Sequence, residues 1–491
     1  METSYQKFAK DALVIGIASV LTSVSGLVLL PLITKLLGAH DYGVWAQVNI
    51  TIGLLWMLVN LGLPFAMVRF LAAKTNRAEI QEGFYSVFSV IFLAALIASS
   101  LLIIFAGPIA RVFFEGETEI VRILGVIIIM SSLNLVCLTL FRTFRQMMRY
   151  SIFAVTKTYI HVGIIAYLAL NGFGIFSIVL SMLVIEAALF LALFYSISSQ
   201  IGIKKPHFSI LKEYFSFGLP TIPANISSWV VMASDRYIIS YFLGLTSVGI
   251  YSAGYGLGSG ILMAVTLLGF VLPPTLSKLY DEGRMDEVKT HLSYSLKYFL
   301  ALAIPFVFGA AMLSQQVLRM FTTTEIAAQG YFVVPLVALS ILVFGFGGVI
   351  GNILVLVKKT RIMGATWIIA GLVNLGLNIL VIPRIGILGA ALTTLIAFAM
   401  AAGILIYYSF KEFKFNIDWG FIIKSLVASM IMSLAIWLIF PEGTLTVLLT
   451  VVAGIVIYGV ALFLMRGFKR EEIRFFQGLL RRSAPPKNSN K

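Results

Sequence analysis

The sequence is poor in cysteine, histidine and charge, and each shortage excludes a class of protein. Its single cysteine, Cys137, rules out an intrachain disulfide and a cysteine-rich metal site in this chain of 491 residues. The 4 histidines are scattered and show no metal-ligand spacing. Only 12% of the residues are charged, against about 25% in soluble domains. No polar stretch approaches the ~50 residues of a small folded domain, so we predict no soluble domain.

The sequence also lacks the motifs of nucleotide-dependent and hydrolytic enzymes. Gly38-x4-Gly43 has the glycine spacing of a phosphate-binding loop, but Val44 follows it in place of a Lys-Ser/Thr pair. No grouping of nucleophile, base and acid is typical of a hydrolase, a kinase or a redox enzyme. We therefore predict a protein that is not an enzyme and that has no cofactor or metal.

The sequence is rich in long runs of apolar residues. Hydrophobic residues make up 60% of the chain and the mean hydropathy is +1.00, which indicates a polytopic membrane protein. About 20 apolar residues cross the hydrocarbon as a helix, and such runs predict 14 spans, the first a retained span rather than a signal peptide. The predicted spans lie near residues 12–34, 44–68, 84–106, 119–141, 152–170, 174–197, 217–243, 248–275, 292–316, 330–356, 362–382, 385–409, 421–440 and 444–465.

The basic residues predict the orientation of these spans. With both termini in the cytoplasm, all but six of the 36 Lys and Arg residues are assigned to cytoplasmic segments or to the cytoplasmic ends of spans, as the positive-inside rule requires. The exceptions are Lys35, Arg111, Arg122, Arg236, Arg319 and Arg384. The net charge of +15 is therefore a signal of topology, and we predict a protein of the cytoplasmic membrane that binds no nucleic acid.

Spaced glycines near the start of the chain recur near its middle. Leu37-Gly38-x4-Gly43 is echoed by Leu243-Gly244-x4-Gly249, and further matches follow at slowly growing offsets. Each repeat holds six predicted spans, an even number, so the two halves enter the membrane in the same orientation. This arrangement is typical of transporters that rock two lobes around a central cavity.

The repeat defines the predicted organisation of the chain. We expect an all-α membrane protein with two parallel six-helix lobes, two additional helices and a basic tail that is amphipathic and then disordered. The predicted boundaries are 1–200, 201–410, 411–465 and 466–491.

Predicted span 217–243 carries the best candidate for a functional surface. Asn225, Ser228, Met232, Asp235 and Arg236 recur at steps of three and four residues, which places a mostly polar stripe on one helical face. One interpretation is a cavity lining in which Arg236 offers two parallel hydrogen bonds to phosphate. The alternative is a structural Asp–Arg contact near the outer interface.

Basic residues also cluster at the predicted cytoplasmic ends of two spans. Arg69 follows the second span, and Arg142 and Arg145 follow the fourth. They fit the positive-inside rule, and they also fit a basic entrance that draws an anionic headgroup into a cavity.

Two titratable residues lie inside predicted spans of the first half. Glu186 is near the middle of span 174–197, and His161 lies in span 152–170. Either could couple transport to an ion, or be a buried and paired structural group. On span 362–382, Asn374 and Asn378 lie one turn apart and are expected to tie helices together.

Three segments together resemble a known family. The stretch from Asp235 to Leu257, DRYIISYFLGLTSVGIYSAGYGL, is similar to the signature of the oligosaccharide and polysaccharide flippases, as are PLITKLLGAHDYGVWA near the start and NLGLNILVIPRIGILGAALTT from Asn374 to Thr394. These Wzx-like proteins share a superfamily with lipid II flippases and MATE multidrug exporters. The resemblance implies 14 spans in two lobes that move polyprenyl-diphosphate-linked sugars to the outer leaflet. It also implies that Arg236 lies in or near the cavity between the lobes.

The resemblance implies partners and leaves two other functions open. The implied partners are the lipid-linked glycan, membrane lipids and the polysaccharide assembly machinery, with a proton, sodium or the membrane potential as energy source. A cation-coupled multidrug exporter would share the fold, although Glu186 is the one central carboxylate without a basic neighbour in sequence. A membrane glycosyltransferase or ligase would need acidic residues in an outer loop, where Glu115, Glu117 and Glu325 stand without pairing.

Overall fold

In a computed structural model, which describes residues 4–439, 441–468 and 472, the chain is helical throughout and these residues form no strand. Short 3-10 turns occur between some of the helices. The helices are α1 (Ser4–Val59), α2 (Leu63–Leu71), α3 (Arg77–Ile104), α4 (Ala106–Phe113), α5 (Thr118–Thr143), α6 (Met147–Leu170), α7 (Ile175–Ile201), α8 (Leu211–Gly218), α9 (Ile222–Gly258), α10 (Leu262–Asp281), α11 (Met285–Phe321), α12 (Thr324–Gly330), α13 (Val333–Leu356), α14 (Thr360–Ile385), α15 (Ile387–Glu412), α16 (Trp419–Ile439) and α17 (Thr444–Leu464).

Twelve helical segments of the described chain are long and apolar enough to cross a membrane. Two of them are much longer than one crossing: Leu13–Val59 has 47 residues and Phe208–Asp281 has 74. Phe208–Asp281 contains the predicted spans 217–243 and 248–275. Leu13–Val59 covers most of the predicted spans 12–34 and 44–68, and the second of these is interrupted after Val59, before α2 begins. The prediction of a polytopic helical membrane protein is confirmed, whereas the count of 14 spans stays a prediction.

One glycine interrupts each of these two long segments. Gly38 has φ 91° and ψ −177°, and Gly244 has φ 83° and ψ 174°. A residue with a Cβ rarely adopts this conformation, so glycine is needed where the helix stops and restarts. The two positions are those paired by the repeated Leu-Gly-x4-Gly motif. The motif therefore marks two breaks with the same backbone geometry, and the duplication itself stays a prediction.

The helices that restart after these breaks cross each other at very close range. A Cβ added to Gly249 would overlap the carbonyl oxygen of Ala39 and would lie 2.9 Å from the amide nitrogen of Gly43. A Cβ added to Gly43 would overlap the carbonyl oxygen of Leu245. The contact is reciprocal, since each motif glycine packs on the residue that follows the break in the other motif. Small residues of this kind let helix backbones approach closely.

The described residues form two compact units. The first comprises residues 1–254, 321–330 and 364–397. In it α5 packs between α3 and α7, and α1 lies along α6. Its core is apolar, with fully buried residues such as Phe84, Val136 and Ile165. All the candidate site residues belong to this unit.

The second unit comprises residues 255–320, 331–363 and 398–491. Here α10 packs on α13, and α16 packs on α17. Beyond α17 the chain returns to α11, where Lys297 pairs with Glu472 at 2.8 Å and lies 5.0 Å from the ring centre of Phe421. The rest of the predicted amphipathic tail, residues 469–471 and 473–491, lies outside the described residues. The predicted lobe boundaries stay a prediction.

Candidate functional site

Asp235 and Arg236 form an ion pair inside the protein. Their side chains are 0% and 7% exposed, and Arg236 Nη1 lies 2.8 Å from Asp235 Oδ1. The same Nη1 donates a hydrogen bond to the carbonyl of Met232 at 2.8 Å. The Tyr251 hydroxyl donates to the other carboxylate oxygen, and its ring lies 5.1 Å from the guanidinium carbon. Both charges are thus neutralised by neighbours within α9.

This arrangement depends on the break at Gly244. Because the helix is interrupted there, the second part of α9 can bring Tyr251 into contact with Asp235 in the first part. The restarting helix has an amide at Leu245 without an intrahelical acceptor, and Glu115 Oε1 accepts its hydrogen bond at 2.8 Å. A carboxylate at the N-terminus of a helix also interacts favourably with the helix dipole. Neither Tyr251 nor Glu115 was predicted as a partner, although Tyr251 lies within the stretch from Asp235 to Leu257.

The other predicted members of the α9 stripe have a different environment. Asn225 and Ser228 are half-buried, and within the described residues their side chains have no hydrogen-bond partner. The stripe therefore divides into an open polar part near the start of α9 and a closed ion pair further along. A phosphate at Arg236 would have to compete with Asp235 in this structure. The assignment of these residues to a substrate cavity stays a prediction.

Glu186 belongs to a second ion pair, in which Glu186 is buried and its partner Lys157 is partly exposed. The Lys157 amine contacts Glu186 Oε1, and Asn134 Nδ2 donates to Oε2 at 2.7 Å. His161 lies one turn beyond Lys157 and its ring is 5.4 Å from that of Trp45. The sequence pattern predicts Glu186 and His161 inside spans, and it contains no sign that Lys157 reaches Glu186. Ion coupling at Glu186 and His161 stays a prediction.

The predicted basic entrance is exposed. Arg69 lies in the last turn of α2 and Arg142 in the last turn of α5. Positive charge in the last turn of a helix interacts favourably with the helix dipole. Arg145 follows α5 and lines an open cavity of about 450 Å³ with Asp11, Gln146 and neighbouring residues. None of the three arginines forms an ion pair within the described part of the chain. They are therefore available to an anion from solution, and their role in an entrance stays a prediction.

The asparagines of α14 tie that helix to α15, as predicted. Asn378 Nδ2 donates to Asn374 Oδ1 at 3.0 Å, and the Thr393 hydroxyl donates to Asn378 Oδ1. All three side chains are buried. Among the described residues, no group of three His, Cys, Asp or Glu side chains could hold a metal ion.

Comparison with known proteins decides the family. Residues 32–327, more than half of the chain, match the sequence profile of a family described as "Polysaccharide biosynthesis protein". The chain belongs to this family. The matched residues include the Asp235–Arg236 pair, the Lys157–Glu186 pair and both Leu-Gly-x4-Gly motifs.

Two curated relatives of this polysaccharide biosynthesis protein carry transport names. The probable low-salt glycan biosynthesis flippase Agl15 of Haloferax volcanii is 23% identical over 47% of this chain and 50% of its own length. The succinoglycan biosynthesis transport protein ExoT of Rhizobium meliloti is 25% identical over 59% of this chain and 57% of its own length. The chain thus spans between half and three fifths of these relatives.

The fold is similar to that of a solved membrane protein structure. The structure titled "Lipid II flippase MurJ, inward closed conformation" matches with a TM-score of 0.74 and 20% identity, and the match covers 92% of this chain and 98% of that one. Similarity at this identity establishes the fold alone. The predictions of family and of a lipid-flippase-like helical fold are confirmed.

Proposed function

We propose that this protein is a flippase that moves polyprenyl-diphosphate-linked oligosaccharides across the cytoplasmic membrane for polysaccharide or surface-glycan assembly. The observation that carries the proposal is the family match over residues 32–327, which contains both ion pairs. One relative named as a glycan biosynthesis flippase, another named as a succinoglycan biosynthesis transport protein, and the MurJ-like fold support it. Transport rather than catalysis is also supported by the apolar composition.

The proposal includes a direction and a mechanism. The distribution of Lys and Arg supports cytoplasmic termini, so cargo enters from the side of Arg69, Arg142 and Arg145. Alternating access between two lobes then exposes the cargo to the outer leaflet. Asn225 and Ser228 offer unpaired polar groups to the glycan or its phosphates. The partners are the lipid-linked glycan, membrane lipids and the polysaccharide assembly machinery.

The test uses purified protein in liposomes that contain a fluorescent polyprenyl-diphosphate oligosaccharide. We expect protein-dependent movement of this lipid between leaflets. The movement is measured as the fraction of its fluorescence that a quencher added outside the liposomes can remove. A cationic dye is the parallel cargo, because a multidrug exporter of the same fold would move the dye. Imposed proton, sodium and electrical gradients are compared to identify the energy source. Movement of the dye without movement of the sugar lipid would contradict the flippase proposal and favour a multidrug exporter.

A second experiment tests the enzyme alternative. The double variant Glu117→Gln, Glu325→Gln is expected to transport the sugar lipid at the wild-type rate, because both acids are exposed and neither forms an ion pair within the described residues. Glu115 is left intact, since it caps the helix at Leu245. Loss of sugar-lipid processing in a folded double variant would favour a glycosyltransferase or ligase.

A further inference from the structure

Lys157 lies within α6, a helix that is long and apolar enough to cross a membrane. It lies ten residues after the start of α6 at Met147, or roughly 15 Å along the helix axis. A charged side chain facing hydrocarbon at that depth is strongly unfavourable, so such residues face protein or a water-filled space. Lys157 meets this requirement through Glu186 on α7, whose Oε1 it contacts.

The two members of this pair are buried to different extents. The Lys157 side chain is 29% exposed, whereas that of Glu186 is 7% exposed. Lys157 is therefore open to contact from outside the pair, whereas Glu186 is closed off. The ammonium has three N–H donors, and within the described residues Glu186 is the protein acceptor that it contacts. The remaining donors are available to water or to a ligand.

The carboxylate, by contrast, is fixed in place. Asn134 Nδ2 donates to Glu186 Oε2 at 2.7 Å and to the Glu186 backbone carbonyl at 2.9 Å. Asn134 is itself buried, with 2% exposure. The lysine has a flexible four-carbon stem and behaves as a movable point charge. If one member of the pair moves, it is Lys157.

We propose that Lys157 binds the diphosphate of the cargo, and that Glu186 makes this site selective against lipids with a single phosphate charge. The inference rests on the proposed flippase function and extends it to the substrate-binding residues. It differs from the sequence-based assignment of Arg236, whose guanidinium is held by Met232 and Asp235.

The selectivity follows from the charge left behind when Lys157 moves. Drawing the ammonium to a ligand leaves the Glu186 carboxylate buried with Asn134 alone, which is strongly unfavourable. A ligand with one negative charge gives Lys157 no stronger electrostatic attraction than the single carboxylate of Glu186 already gives. A diphosphate offers at least two charges and more acceptor oxygens, so it can compensate for the lost pairing. Glu186 would thus keep abundant phospholipids out of the site, a form of discrimination against the wrong partner.

The test measures equilibrium binding to the full-length protein in detergent, with calorimetric titrations of two probes. One is farnesyl diphosphate, and the other is the methyl ester of farnesyl monophosphate, a phosphodiester with one negative charge. We expect the wild type to bind the diphosphate at least about tenfold more tightly than the phosphodiester. Lys157→Gln should lose that preference by weakening diphosphate binding. Glu186→Gln should lose it in the opposite way, by strengthening phosphodiester binding. Lys157→Arg, which keeps the charge, should retain diphosphate binding.

The double variant Lys157→Gln, Glu186→Gln guards against misfolding, because it removes both charges and leaves neither uncompensated. It should show a wild-type thermal midpoint and bind both probes weakly. Wild-type diphosphate affinity in this double variant would overturn the inference, as would equal affinity of the wild type for the two probes. Sugar-lipid transport is measured separately. Selective binding without any transport would overturn the flippase proposal, whereas transport without the expected change in selectivity would overturn only the role of Lys157 and Glu186.

Discussion

Replacing Arg236 with alanine is expected to cost about 3–5 kcal/mol of stability, because it leaves the Asp235 carboxylate buried without its counterion. Asp235 has no exposed surface, so bulk water does not reach its carboxylate in this structure. The variant also loses the hydrogen bond to the Met232 carbonyl. The measurement is the thermal unfolding midpoint of purified protein in detergent, with the yield of monodisperse protein beside it.

The double variant Asp235→Asn, Arg236→Gln is the matched control. It removes both charges together, so it should recover most of the stability that Arg236→Ala loses. Arg236→Lys should be intermediate, since lysine keeps the charge and lacks the planar fork. A wild-type midpoint for Arg236→Ala with loss of sugar-lipid transport would contradict this expectation. That result would instead support the cavity role predicted from the sequence.

The two ion pairs show how far the sequence could reach. Asp235 and Arg236 are adjacent in sequence, so their contact was one of two interpretations available from the helical pattern. Tyr251 completes the pair only because the chain breaks at Gly244, and the direction taken after a break is set by tertiary packing. Family and helical class were predictable because long apolar runs and a motif of more than 20 residues carry them.

Lys157 illustrates what the sequence could not give. The positive-inside rule assigns Lys157 to the cytoplasmic side, because it lies near the predicted cytoplasmic end of its span. Its partner Glu186 is on a different helix, and the contact depends on helix rotation and on the reach of a flexible side chain. Neither quantity is encoded in spacing or hydropathy. The Asn134 contacts that fix the carboxylate depend on packing in the same way.

Gly249→Ala is expected to destabilise the protein by about 1–3 kcal/mol, because the added methyl group overlaps the backbone of the crossing helix. The Cβ would meet the carbonyl oxygen of Ala39 and lie 2.9 Å from the Gly43 amide nitrogen. Backbone atoms cannot rotate away as a flexible side chain can, so the two helices must separate. The measurement is again the thermal midpoint in detergent.

Gly256→Ala is the matched control on the same helix, where an added Cβ meets nothing within 4 Å. It should leave stability unchanged or raise it by up to about 1 kcal/mol, because alanine is the better helix former. Opposite signs for the two variants would show that the close crossing, rather than glycine flexibility, decides the effect at Gly249. Equal midpoints would contradict the packing described for the two motifs.

The reciprocal contact makes a sharper prediction for Gly43 and Gly249 together. Each single alanine variant must push the same pair of helices apart, so the second substitution meets a crossing that is already open. The double variant Gly43→Ala, Gly249→Ala should therefore lose less stability than the sum of the two single variants, with a coupling of about 0.5–3 kcal/mol. Strict additivity would mean that the two glycines do not share one crossing. Coupling would tie the two copies of the motif to a single contact.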